Sequence, residues 1–501
     1  MSGKYVLTID QSTSGSKCLL IDSQGDIKCK VTKDHKQIYP KSGWVEHDPI
    51  EIYENVKSIV NELVITNNVN EENIIGLAIT NQRETVVVWD KETGLPIYNA
   101  IVWQCRRTTE ICNELKEYEN VVSERTGLRL DPYFSATKVK WILDNVQGAR
   151  EKAQNGKLIL GTIDSWLIWK LTNGKVHATD YTNASRTLLF NIKELKWDNL
   201  LLDIFSIPES MMPRIYKSDE IFGETDFDGN LNTKLKICGV VGDSQGALFG
   251  QCCFEKGMAK STFGTGNSIM VNVGEDYIPS KNGVVTTIAS VTKCAGINYG
   301  LEGIVNSSGD TINWIKNELG LFKDFSEFNE AVSEEKSNKG VYLIPAFVGL
   351  GIPYWNAEAK ASIVGISRDT TKKNIMRAAL ESIAYQVKDA LCVIENEANI
   401  KIERLSIDGG VTINPIYNQF LANLLNCKIE KNINEELSSM GATYFCGLGL
   451  GLWSSKEELI DIQRNKECYE PQINEGERKE LYQGWVNAVR SVLYLTDLNK
   501  N

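Results

Sequence analysis

The chain has 501 residues, with 54 Lys and Arg against 65 Asp and Glu, for a net charge of −11. That acidic balance argues against a nucleic-acid scaffold, whose grip on phosphates needs a surplus of cations. Hydrophobic residues make up 42% of the chain, enough for large cores, and the length predicts two to three domains. No apolar run reaches the ~18 residues of a membrane-spanning helix. The longest such stretch, 440–453, is punctuated by glycine and reads as a buried helix. The opening Met1-Ser-Gly-Lys-Tyr-Val-Leu-Thr-Ile-Asp10 is too short and too quickly polar for a signal peptide. Twelve cysteines include no Cys-x-x-Cys pair, so they read as reduced core residues of a cytoplasmic enzyme.

In chain order, Tyr5-Val-Leu-Thr-Ile-Asp10 is β-rich, Gln11-Ser-Thr-Ser-Gly-Ser16 is a polar turn, and Lys17-Cys-Leu-Leu-Ile-Asp22 is β-rich again. Two strands around a short Ser/Thr/Gly turn make a hairpin, with a third strand expected at 27–31. Apolar strands follow at 74–79 and 86–89, and another leads into Gly239-Val-Val-Gly-Asp-Ser-Gln-Gly246. The hairpin pattern recurs in the second half as Lys260-Ser-Thr-Phe263, Gly264-Thr-Gly-Asn267 and Ser268-Ile-Met-Val-Asn-Val273. A helix is expected over 371–396, because Met376, Leu380, Ile383, Val387, Leu391 and Ile394 recur every three or four residues. Helices alternating with strands indicate an α/β fold. The repeated hairpin suggests two related lobes meeting near residue 250, here divided as 1–248 and 249–501.

Several segments have the composition of a site. The turn after Asp10 and the turn Gly264-Thr-Gly266 can point backbone N–H groups into a nest for phosphate oxygens. Asp10 stands where a carboxylate can hold Mg²⁺, and Asp408-Gly-Gly410 can let a base or ribose approach the backbone. Each turn alone is weak, since glycine-rich turns mostly just turn. No Gly-x-x-x-x-Gly-Lys-Ser/Thr occurs, so nucleotide binding must use another fold. Asp243 reads either as a helix N-cap or as a base taking a hydroxyl proton. In Thr80-Asn-Gln-Arg-Glu-Thr85, an Arg and a carboxylate side by side suit neighbouring hydroxyls of a polyol, or a plain ion pair. Trp103 and Tyr133 lie near polar turns and fit either a site or the core.

These blocks, together with Gly43-Trp-Val-Glu-His-Asp-Pro49, Thr179-Asp-Tyr-Thr-Asn-Ala-Ser-Arg186 and the segments 98–103, 133–141 and 347–355, resemble in order the FGGY carbohydrate kinases. The likeness is greatest to the glycerol kinase branch and covers nearly the whole chain. It implies two actin-like (ribonuclease H-like) ATPase lobes with ATP, Mg²⁺ and a small polyol or sugar in the cleft. It also implies soluble homodimers or homotetramers, without nucleic-acid or membrane partners. By motif, Asp243 is the general base, and Asp10 and Asp243 serve the metal. Thr13, Ser14, Lys17 and Thr265 meet the phosphates, while Gly309, Gly410 and Asn414 meet the nucleoside. Arg83, Glu84, Trp103 and Tyr133 face the acceptor, joined by Ser244 and Ser268.

Four motifs depart from the glycerol kinase pattern. Its Gln-Gln after the base is Ser244-Gln245 here, and Gly-Thr-Gly-Cys-Phe is Gly264-Thr-Gly-Asn267-Ser268. Its Trp-Gln-Asp-Arg-Arg is Trp103-Gln-Cys105-Arg-Arg107, and Glu-Gly-x-Val-Phe is Glu302-Gly-Ile-Val-Asn306. Replacing phenylalanine by Ser268 and Asn306, with Ser244 and Asn267 adding polar groups, suggests an acceptor of four or five carbons, such as erythritol, xylitol, D-xylulose or D-ribulose. The alternatives are retained glycerol phosphorylation, or an ATP-binding actin-like sensor without catalysis. No histidine occurs in 224–234, so control through histidine phosphorylation in that loop is not expected. Cys105 reads as a small replacement for the family's aspartate and His47 as a structural residue.

Overall fold

The computed structural model describes residues 3–463 and 465–498. Tyr5–Gln11 and Gly15–Asp22 form the expected antiparallel hairpin, with Asp10 opposite Lys17. Ile27–Asp34 extends it as a third strand. Every residue of Tyr5–Gln11 is buried, as suits a central strand covered on both faces. On its other side lie the parallel strands Ile74–Asn81 and Leu235–Gly242, then the antiparallel edge Ile221–Thr225.

The second sheet repeats this order. Met258–Phe263 pairs antiparallel with Asn267–Gly274, and Gly296–Val305 continues the meander. Arg404–Gly409 and Lys428–Asn432 follow in parallel on the other side, and Lys466–Tyr469 closes that edge antiparallel. An added strand, Val285–Thr292, pairs with Gly296–Val305. Two sheets with the same connectivity, each flanked by helices, form the two actin-like lobes.

Two helices join the halves. Asp243–Gly250 continues from Leu235–Gly242, and Leu437–Leu450 packs against it. The glycines on this crossing are required by contact: a Cβ on Gly441 would stand 1.9 Å from the Gly246 carbonyl oxygen, and one on Gly250 would stand 2.1 Å from that of Leu437. The buried helix read at 440–453 is therefore this one, shifted slightly. Its Met440, Ala442, Phe445 and Cys446 share a core with Val6, Ala78 and Val241 of the first sheet, so a late segment of the chain completes the first lobe. The amphipathic helix spans Lys372–Ala398, opened by a Thr371–Asn374 capping box, and all six residues of its stripe are buried. Among the described residues no helix is long and apolar enough to cross a membrane.

Candidate active site

The acceptor candidates assemble around Arg83. The strand Ile74–Asn81 ends just before it, and Glu84 takes a left-handed backbone (φ 62°) that turns the chain into Val86–Asp90. Arg83 does not chiefly pair with Glu84, whose nearest oxygen is 4.0 Å from its Nε. Its Nη2 instead donates to Glu302 Oε1 at 2.7 Å and its Nη1 to Glu302 Oε2 at 3.2 Å. Arg83 Nε lies 3.2 Å from Asp243 Oδ1. Glu84 accepts from Arg186 Nε at 2.6 Å, and Arg186 Nη1 lies 2.9 Å from Glu302 Oε2. Two arginines and two glutamates thus neutralise one another out of water. Burial alone would raise the Glu302 carboxyl, but Arg186 and Arg83 more than cancel that and hold it at about 2. Beside this cluster Trp103 and Tyr133 face each other with ring centroids 5.3 Å apart. Burial keeps the Tyr133 phenol neutral by pushing it far above its usual range.

Asp243 is the first residue of its helix, and Gly242 is the N-cap, so it is no capping side chain. Its Oδ1 accepts the Ser244 N–H at 2.6 Å and meets Arg83, and 38% of its side chain stays open to solvent. Across from it Asp10 is buried, with Oδ2 accepting from the Ser439 hydroxyl at 3.2 Å. Burial raises the Asp10 carboxyl to about 6, with the charges of Asp243 and Glu436 adding to the effect and Lys17 opposing it. Thr13 joins the first hairpin turn to the aromatic pair: its Oγ1 accepts from Trp103 Nε1 at 3.0 Å. Ser14 is exposed at the turn. Lys17 Nζ is engaged by Glu436 at 2.7 Å, and Lys30 takes that residue's other oxygen at 2.9 Å.

The second lobe holds a cavity of about 430 Å³ lined by four of the expected nucleotide residues, Thr265, Gly309, Gly410 and Asn414. Its walls are mostly apolar, with Ile312, Phe325, Phe328, Leu380 and Val411 against a few amides, the composition of a site for a flat base. Gly309 sits where a Cβ would be 2.8 Å from the Gly264 carbonyl oxygen, and around Gly410 the space is open. Asn414 is also a structural residue: its Oδ1 caps the helix Pro415–Leu425, and its Nδ2 donates to Asn329.

Strand parity sorts the divergent positions. Ser268 lies opposite Thr262 and Ile304, on the face carrying Lys260 and Glu302. The buried Lys260 donates to its Oγ at 3.4 Å, so Ser268 lies on the sheet face that carries Glu302. Asn267, one residue earlier, points to the opposite face and accepts from the Ser261 hydroxyl at 2.9 Å, which removes it from the pocket. Asn306 is exposed beyond the end of its strand, near Gly351. Ser244 is half-buried beside Asp243, and the following Gln245 turns inward to donate to Thr287 Oγ1 at 3.0 Å. Cys105 is buried with Sγ accepting from Arg107 Nε at 3.0 Å. His47 is buried against Gln37, and burial depresses its imidazole to about 3, so it stays neutral. Arg186, Glu302 and Lys260 had not been singled out as site residues. The only available signal was the position of the first two inside family blocks.

Comparison with known proteins identifies the family. The N-terminal domain model of the FGGY family of carbohydrate kinases matches residues 5–250, and its C-terminal domain model matches 259–450. The chain belongs to the FGGY family of carbohydrate kinases. It is 47% identical over 490 residues to a glycerol kinase of Clostridium beijerinckii, covering 97% of this chain and 98% of that one. It is 46% identical over 492 residues to glycerol kinase 2 of Thermotoga maritima, covering 97% and 98%. The crystal structure of Plasmodium falciparum glycerol kinase with ADP superposes with a TM-score of 0.94 at 35% identity, covering 98% of both chains. A xylulose kinase from Lactobacillus acidophilus, 23% identical, shares the FGGY fold with a TM-score of 0.85, covering 96% of both chains. This FGGY kinase is a phosphotransferase with an alcohol group as acceptor.

Proposed function

We propose that this kinase transfers the γ-phosphate of ATP to a primary hydroxyl of glycerol, giving glycerol 3-phosphate and ADP in the cytoplasm. The observation that carries the reading is Asp243, a half-open carboxylate set between the Arg83–Trp103–Tyr133 cluster and Asp10. In this scheme Arg83 and Glu84 bind neighbouring hydroxyls, and Trp103 and Tyr133 cover the carbon edge. Asp243 takes the proton of the attacking hydroxyl as its oxygen bonds to phosphorus and the bond to the β–γ bridging oxygen breaks. Thr13, Ser14 and Lys17 from the first lobe and Thr265 from the second receive the phosphates. Gly309, Gly410 and Asn414 receive the nucleoside. The division of labour is then 1–248 for acceptor and base and 249–501 for nucleotide.

A Mg²⁺ ion suits the carboxylates present. Asp10 and Asp243 repel each other strongly enough to help raise Asp10, which a divalent cation would reverse. Among the described residues no group of three or more His, Cys, Asp and Glu is placed to hold a metal, so the ion's other ligands would be phosphate and water. When bound by Asp10 and Asp243 it would neutralise charge on the transferred group.

A second reading, a four- or five-carbon polyol or ketose as acceptor, is favoured by Ser268 alone, a hydroxyl on the acceptor side where relatives of the glycerol kinase pattern carry phenylalanine. Coupled ADP release over glycerol, erythritol, xylitol, D-xylulose and D-ribulose separates the two. The highest kcat/KM is expected on glycerol. A longer acceptor winning would establish the second reading, and ADP release indifferent to any polyol would refute both.

A further inference from the structure

We infer that Glu302 is a positioning residue for phosphoryl transfer: from the nucleotide-bearing lobe it fixes the direction in which the Arg83 fork meets the acceptor. Its role rests on the reading of Arg83 and Asp243 given above. A guanidinium has five N–H donors in one plane. In Arg83, Nη1 is shared by Gln245 Oε1 at 3.3 Å and Glu302 Oε2, one N–H of Nη2 goes to Glu302 Oε1, and Nε faces Asp243. Among the described residues this leaves one Nη2 N–H for an acceptor hydroxyl. The two-point contact sets the plane, so the free N–H and the edge facing Asp243 point in fixed directions.

Glu302 is held in turn. It is 1% exposed on the strand Gly296–Val305, Arg186 braces its Oε2, and its low carboxyl pKa keeps it ionised wherever the enzyme works. Gln245 repeats the connection, since its amide bridges Arg83 to Thr287 of Val285–Thr292. The acceptor's main cation therefore takes its orientation from the second sheet, 219 residues away in sequence. The charge balance matters as much as the geometry. With Glu302 ionised, the Arg83 charge is already matched. Without it, the fork loses the two-point contact that sets its plane, and Arg83 can swing further toward Asp243, which its Nε already meets at 3.2 Å.

The test is Glu302→Gln, which keeps the shape and removes the charge. Acceptor KM is expected to rise and kcat to fall, each on the order of tenfold or more, as for a misplaced binding group. ADP affinity by calorimetry is expected to stay within about twofold of the parent. Glu302→Asp keeps the charge but shortens the reach, so it should also raise acceptor KM while leaving ADP affinity near the parent's. If Glu302→Gln does not fold, Glu302→Asp alone decides, and an unchanged acceptor KM overturns the inference. A parent-like acceptor KM in Glu302→Gln overturns it, as does a parallel loss of ADP affinity, which would mark a general structural role. A parent enzyme without acceptor-dependent ADP release would instead refute the proposed function, so the two failures remain distinct.

Discussion

Asp10→Asn separates what the fold prefers from what the reaction needs. The Asp10 carboxyl titrates near 6 in the folded protein against 3.8 for an unperturbed aspartate, chiefly because it is buried. A raised acid binds more protons folded than unfolded, so stability falls as pH climbs from about 4 to about 6, and the whole penalty stands above that range. At about 1.4 kcal/mol for each pH unit between the two values, the ionised side chain costs ~3 kcal/mol at neutral pH. Asparagine has the same shape, can still accept from the Ser439 hydroxyl, and carries no charge to desolvate. In metal-free buffer at pH 8, equilibrium urea unfolding should show the variant more stable by ~3 kcal/mol. That advantage should shrink steeply as pH falls toward 4 and vanish below it, where the aspartate is protonated in both states. On the proposed role of Asp10 in holding Mg²⁺, the same variant should lose on the order of 10²-fold in kcat. Equal stability at pH 8, or an advantage that does not shrink on acidification, would refute the reasoning about burial. Full activity would independently remove Asp10 from the metal site.

Three further outcomes follow from the geometry. Asp243→Asn should lower kcat by about 10²–10⁴-fold with ADP affinity retained, and turnover at the parent rate would end its assignment as base. Gly309→Ala places a Cβ 2.8 Å from the Gly264 carbonyl oxygen, closer than carbon and oxygen tolerate. KM for ATP should therefore rise while acceptor KM holds, as steady-state kinetics with each substrate varied will show. Ser268→Phe restores a ring worth ~1.5–3 kcal/mol of apolar burial. It should shift kcat/KM toward glycerol over xylitol on the order of 10–100-fold, and no shift would show that position 268 does not touch the acceptor.

Sequence reading did best where local pattern and structure coincide. The hairpin around 12–14, its counterpart around Gly264–Gly266, and the helix Lys372–Ala398 each follow from apolar periodicity over a few residues, and each is present. It did less well where a residue's meaning depends on a distant partner. Arg83 and Glu84 are adjacent, and the obvious reading pairs them. A buried arginine needs a better fork than its neighbour can offer, and it finds Glu302 while Glu84 finds Arg186. Glu302 stands inside a family block, but nothing near it in sequence points to Arg83, 219 residues earlier. Asn267 failed for another reason: a strand has period two, so of two neighbouring polar replacements only one can face the pocket, and the register selects Ser268.

The duplicated topology explains why both halves of the site lie where they do. In the first sheet, Ile74–Asn81 and Leu235–Gly242 run parallel, and Arg83, Glu84 and Asp243 follow their carboxyl ends. In the second, the corresponding strand Arg404–Gly409 is followed by Gly410 and Asn414 at the nucleotide cavity. Open α/β sheets bind ligands beyond the carboxyl ends of their parallel strands, where loops leave space and backbone donors. On the proposed division of labour, placing one such edge against another brings an acceptor and a triphosphate together without either lobe having to hold both. That division puts the acceptor's arginine and the nucleotide on separate sheets, whose relative placement must be held to within about an ångström for transfer. Of the side chains reaching from the second sheet into the acceptor cluster, Glu302 makes the shortest bond to Arg83, and so the alignment of the two substrates depends most on that contact.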